Sequence, residues 1–181
     1  MKSKNMNLEK LTIEEMETLK AILKKLREDD KKYEWKATSH FLRGDGYYYV
    51  SQDGNVCRST WQFGKADWSK FHLNNTFKSE KQAELELEKR KIIAILQQYS
   101  KECWEQSGKS EQETWKDNAS SKFYISYQTK QDQVIVSSVI QHKYVNNIYF
   151  PKSENAHKAI EMIGEENLKT YVFGVGVKSN D

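Results

Sequence analysis

Hydrophobic and polar positions alternate with helical spacing at the start of the chain. Met16, Leu19, Leu23 and Leu26 repeat every three or four residues, and Lys20, Lys24, Lys25, Arg27 and Glu28 fill the positions between them. Thr12 followed by Glu15 is a capping box, so the pattern predicts an amphipathic helix of about 18 residues ending near residue 30. The stripe covers about two heptads, short for a coiled coil. It suits a helix docked on its own domain, with a homodimer seam as the alternative.

The period then changes from helix to strand. Tyr47-Tyr48-Tyr49-Val50 and Val56-Cys57-Arg58-Ser59-Thr60-Trp61 flank Asp53-Gly54, which predicts paired strands over 46–51 and 55–61 joined by a tight turn. An irregular loop is expected after them. Ser79, with Gln82 three residues on, predicts the start of a second helix running to about residue 106. Leu85, Ile92, Leu96, Tyr99 and Cys103 line one face of it, widened by Ala83, Leu87 and Ala94, and Ser107-Gly108-Lys109-Ser110 ends it.

After this break the order recurs. Trp35, strand, turn, strand, Asn74-Asn75, Phe77 and helix are answered by Trp115, Phe123–Tyr127, a turn at 128–133, Val134–Val139, Asn146-Asn147, Phe150 and a helix through Ala156, Ala159, Ile160 and Ile163. Phe77 to Ala83 and Phe150 to Ala156 have the same spacing. The pattern reads as an internal repeat of one ββα unit. A short helical turn at 164–169 and a last strand over Tyr171–Val175 are expected to follow. The fold class is therefore α+β: an N-terminal helix (1–31) and two ββα units (32–107 and 108–181) packed together.

Composition narrows the function classes. The 181 residues hold 29 Lys and Arg against 26 Asp and Glu, a net charge of +3 with no block of like charge. That balance lacks the footprint of a dedicated DNA binder, although a local patch can hide in it. No apolar run approaches the roughly 18 residues of a membrane span, and no apolar segment follows Met1-Lys2-Ser3-Lys4-Asn5 to make a secretory signal. Two Cys, 57 and 103, cannot build a disulfide scaffold and fit a reducing, cytoplasmic setting.

The four His and two Cys show no metal-ligand spacing, Gly174-x-Gly176 lacks the rest of a phosphate loop, and Glu84, Glu86 and Glu88 interleave with Lys81, Lys89 and Arg90 as a solvated helix face. No metal or other cofactor and no catalytic residue is expected, so the chain reads as a non-enzymatic protein. A hydrolase built on Cys57 or on a His site is the remaining enzymatic alternative.

The stretch with most to offer a partner runs from Arg58 to His72. Trp61, Phe63, Lys65, Trp68, Lys70 and Phe71 interleave aromatics with cations, as single-stranded nucleic acid or a protein hot spot requires. The competing reading makes Trp61 and Phe71 core residues that pin the loop. Lys36 and Arg43 join Arg58, Trp61, Phe63, Lys65, Trp68 and Lys70 as the expected partner-binding set.

Tyr47-Tyr48-Tyr49-Val50, Asp53-Gly54, Trp61 and Asn75-Thr76-Phe77-Lys78-Ser79-Glu80-Lys81-Gln82-Ala83-Glu84 resemble a motif of small phage and prophage proteins of Gram-positive bacteria, W…YYYI…DG…W…GNxFxTxEEAE. Tyr149-Phe150, Ala156, Ala159-Ile160-Glu161 and Ile163–Val175 resemble its C-terminal companion, and Asn74 departs from the pattern where Gly is usual. The resemblance implies a phage or prophage protein acting in the host cytoplasm. It further implies an anti-defence role of the anti-CRISPR kind, binding and blocking a host nuclease complex. The runner-up function is a phage accessory protein that binds DNA or RNA through the 58–72 loop.

Overall fold

The computed structural model describes residue 17 and residues 41–176. Apart from Glu17, which is helical, the helix expected over 12–30, its dimer seam, Trp35 and Lys36 lie outside the described residues. The chain divides into two compact units, the first taking residues up to Tyr47 and Arg58–Thr76, the second Tyr48–Cys57 and Phe77 onward.

In the first unit the feet of a hairpin, β1 (Gly46–Val50) and β2 (Val56–Thr60), lead into α1 (Lys65–His72). Gly44 N–H donates to Trp61 C=O at 2.9 Å and Trp61 N–H donates to Asp45 C=O at 2.8 Å, so residues 44–45 run beside residue 61. α1 corrects the expected irregular loop. Gly64 stands at its N-cap, and the Asp67 side chain accepts the Gly64 N–H at 3.0 Å. A carboxylate in the first turn suits the positive end of the helix.

The second unit opens with the hairpin tip. Gly54 takes φ +77, as expected of it, but Asp53 does not share the left-handed region. Gly54 N–H donates to Ser51 C=O and Ser51 N–H to Asn55 C=O. This is a longer loop closed by one left-handed glycine rather than a tight two-residue primed turn. Tyr48 and Phe77 then exchange both backbone hydrogen bonds at 2.8 Å as an isolated antiparallel bridge.

Beyond Phe77 lies α2 (Glu80–Gln106), opened by the reciprocal Ser79–Gln82 box and ended at Gly108 with φ +72. Ala83, Ile92, Leu96 and Cys103 are buried on it, Leu85 and Tyr99 are half-buried, and Ala94 is exposed, so the covered face is narrower than the composition suggests. A further capped turn, α3 (Glu111–Lys116), follows where only a break was expected. Then come β3 (Lys122–Gln128) and β4 (Gln133–Val139), a short β5 (Tyr149–Phe150), α4 (Ser153–Ile163) and the one-turn α5 (Glu165–Asn167).

The sheet order is β4-β3-β5, all antiparallel, with Phe123 opposite both Ser138 and Phe150. Ile92, Leu96, Cys103, Phe150, Ala156, Ala159 and Leu168 form the core. The strand expected over Tyr171–Val175 is instead a π-helical turn, Leu168–Val172. Its β-branched and aromatic residues satisfy the core just as well from a helix, because Leu168 is fully buried and Tyr171, Val172 and Phe173 pack against it.

Candidate functional site

Trp61 is the hub of the first unit. It is 0% exposed, stacked on Phe41 at 5.2 Å and met edge-on by Tyr47, Phe63, Trp68 and Phe71 at 5.6–6.2 Å between centroids. Its indole N–H is buried with no hydrogen-bond partner among the described residues. An entirely covered ring offers no surface to a partner, so Trp61 organises the site and does not contact through it.

Asp67, 6% exposed, sets the shape of the loop beside that hub. Its carboxylate accepts from Gln62 N–H at 3.0 Å, Gly64 N–H at 3.0 Å and Tyr47 O–H at 2.8 Å. Burial pushes its pKa up, but the two backbone donors, the tyrosine and nearby Lys70 outweigh burial and hold the carboxyl below the usual range. Burial, opposed by a hydrogen bond with Ser59 and reinforced by Asp67, raises the Tyr47 phenol to about 12.

The donors from Gln62 and Gly64 bracket Phe63, which sits at φ +59. A left-handed conformation is costly for a bulky aromatic, of order 1–3 kcal/mol, and persists only where the surroundings impose it. Asp67 is what imposes it. The result is a Phe63 residue left 36% exposed beside half-buried Trp68.

Around this ring the expected residues separate. Arg43, Arg58 and Lys65 are exposed; Arg43 lies in the turn closed by Leu42 N–H donating to Asp45 at 2.6 Å, and the Arg58 guanidinium lies over Gly46. Lys70 turns inward, its Nζ donating to Tyr47 Oη at 3.2 Å and lying 5.7 Å from that ring. Phe71 and Trp68 pack edge-to-face, and Trp68 stacks on His72 at 6.0 Å. Phe63, Arg43, Arg58 and Lys65 are the exposed members of the expected set, whereas Trp61 is buried and Lys70 is held against Tyr47. Asp67 carried no signal in the sequence beyond an acidic residue three after a glycine.

The second unit holds a groove of about 720 Å³ between the C-terminal half of α2, the 108–111 link and the segment before β5. Its floor is a polar knot: Ser100 Oγ and Trp104 Nε1 both donate to Tyr149 C=O, at 2.6 and 2.8 Å. Tyr149 Oη in turn accepts from Tyr144 N–H at 2.7 Å. Behind it, wholly buried Lys122 donates to the carbonyls of Asp117 and Ile140 at 3.1 and 2.9 Å and lies 4.7 Å from the Trp115 ring. Lys143 approaches the same ring at 5.5 Å and pairs with Glu111 at 2.9 Å. No feature of periodicity or spacing pointed to this groove.

Among the described residues no cluster of three or more His, Cys, Asp or Glu could hold a metal, and no helix is long and apolar enough to cross a membrane. Cys57 is half-buried and Cys103 buried. No family model, no curated protein and no solved structure matches the chain.

Proposed function

We propose that the protein is a non-catalytic inhibitor encoded by a phage or prophage, which seats the Phe63 face of its first unit on a nuclease complex of the host's defences, in the manner of an anti-CRISPR. The observation that carries the binding role is Phe63 itself. A fold that only needed a turn there would place Gly or Asn at φ +59, yet a Phe is held in that conformation and is left in reach of solvent. Arg43, Arg58 and Lys65 are exposed in the same unit and are the residue types a polar rim uses. The phage origin and host-cytoplasmic setting rest on the sequence resemblance.

The same proposal extends to the architecture, as two ββα units of common descent. Asn74 and Asn146, the leading residues of the two Asn-Asn pairs, both take positive φ, +52 and +71. Asn74 does so where the resembling motif has Gly, which supports the correspondence because Asn tolerates that region best among other residues. Tyr48–Phe77 and Phe123–Phe150 are both antiparallel pairings that precede a helix with a buried Ala six residues on.

The test is affinity capture from host lysate with the wild-type chain and with Phe63→Asn, which keeps a left-handed residue in place. The expected result is a host nuclease complex retained by the wild type after nuclease digestion and reduced at least about tenfold for the variant, the scale of a hot spot. Equal capture by both would overturn the assignment to this face. A direct contact with nucleic acid is the second reading, favoured by the exposed cations of the first unit. It predicts capture that is lost on nuclease digestion and an affinity that falls steeply with salt.

A further inference from the structure

β4 is an edge of the three-stranded sheet, and its hydrogen-bonding groups can be assigned one by one. Its register with β3 pairs Val134 with Tyr127, Val136 with Ile125 and Ser138 with Phe123. Val134 N–H donates to the Glu165 carboxylate at 3.1 Å, so the backbone of Val134 faces away from β3. Antiparallel ladders alternate strictly, so Val136 and Ser138 also turn their N–H and C=O groups outward. Phe123, opposite Ser138, correspondingly turns its own backbone outward to β5. Among the described residues nothing hydrogen-bonds to the outward groups of Val136 and Ser138.

The edge also lacks the devices that normally guard one. Gln133-Val134-Ile135-Val136-Ser137-Ser138-Val139 contains no charge, no proline and no glycine, and all seven residues pair in unbroken register, without a bulge. Glu165 blocks only the Val134 end. The open window is therefore two outward residues long, centred on Ser137.

We infer that this window is a self-recognition site, at which β4 of a second copy of the chain pairs antiparallel with β4 across a two-fold axis through Ser137. In that register Val136 of each copy faces Ser138 of the other. Four backbone hydrogen bonds then satisfy all the outward groups of both residues, and Glu165 keeps its hold on Val134. The sheet becomes six-stranded, β5-β3-β4 continued by β4-β3-β5 of the second copy.

Charge at the two ends favours this occupant over a parallel strand or an unrelated peptide. Asp132, Glu165 and Glu166 gather at the start of β4 around a single Lys169, and His142 and Lys143 follow its end. The two-fold brings the acidic start of one β4 to the end of the other, which His142 and Lys143 follow. A parallel copy would instead stack acid on acid. The contact is small, so a weak, concentration-dependent dimer is expected.

The test combines sedimentation velocity up to millimolar concentration with two cysteine variants in a Cys57→Ser background. Ser138 is exposed, so Ser138→Lys leaves the fold in place while putting a charge into the pairing. The expected results are a reversible wild-type dimer, a dissociation constant raised at least about tenfold by Ser138→Lys, and faster oxidative cross-linking of Ser137→Cys than of Ser138→Cys. Residue 137 meets its own copy at a non-hydrogen-bonded position, where Cα atoms are about 4.5 Å apart and a disulfide closes readily. A chain that stays monomeric at millimolar concentration would overturn the inference. So would a dimer indifferent to Ser138→Lys, or equal cross-linking at 137 and 138.

Discussion

Asp67 in the first unit and Lys122 in the second are both buried charges, and both are solvated chiefly by the backbone. The anion collects two N–H groups and a phenol. The cation collects two C=O groups and the face of an indole. They differ in what their partners do next. The donors to Asp67 bracket a single strained residue on an open loop, so its charge sets the shape of a surface. The acceptors of Lys122 come from the link after α3 and from just beyond β4, so its charge ties two segments to β3 and leaves no strain behind. Among the described residues, buried charge therefore shapes an exposed loop in one unit and ties segments together in the other.

The largest effect should come from Asp67→Ala. It leaves the Gln62 and Gly64 N–H groups and the Tyr47 hydroxyl without their acceptor, a loss of about 3 kcal/mol in urea unfolding, and it frees Phe63 to leave the left-handed region. Because the folded pKa of Asp67 is lowered, its contribution is complete above the unfolded carboxyl value near 4 and disappears as pH falls through the folded one. An Asp67→Ala chain should lose that part of its acid sensitivity.

Tyr47 predicts the opposite limb. Its folded pKa is about 12 against 10.0 for the free phenol, so the native state holds a proton that the unfolded chain has released. Stability should fall as pH rises from 10 to 12, by up to about 2–3 kcal/mol from this group. Tyr47→Phe should remove that slope in unfolding followed by circular dichroism.

Lys122→Met asks whether closure depends on charge. A cost of about 2 kcal/mol is expected from two carbonyls left without a donor and a lost cation–aromatic contact. A change near zero would mean that an apolar stem of the same length closes the unit equally well, and the contrast with Asp67 would then be one of strength as well as purpose. The smallest effect belongs to Phe63→Gly. Relief of backbone strain offsets the lost ring packing, for a net change under about 1 kcal/mol, while capture of a partner should suffer far more.

How much of this was legible in the sequence depends on the range of the interaction. The Ser79–Gln82 box, both hairpins and the α4 stripe are local, and the chain states them in residues three or four apart. α1 was hidden because Trp68 and Phe71 answer to Trp61 rather than to helical periodicity, and its cap is a bare glycine. The π-helical turn at Leu168 was hidden because Tyr171-Val172-Phe173 has strand composition, and only the distant α2 face decides otherwise. In the candidate site, the exposed Arg43, Arg58, Phe63 and Lys65 could be picked out by type. Asp67 could not, since its role exists only once Tyr47 is folded against it.

The position of Leu168 also bears on how the chain is made. It completes a core whose first members, Ile92 and Leu96, leave the ribosome far earlier. Synthesis at about 5–20 residues per second leaves that helix face uncovered for several seconds, a window in which chaperones or a second nascent chain can reach it. The rings packed around Trp61 all lie between Phe41 and Phe71, and the hairpin's bridge partner Phe77 follows soon after. The Trp61 cluster therefore emerges whole while the core around Leu168 is still incomplete.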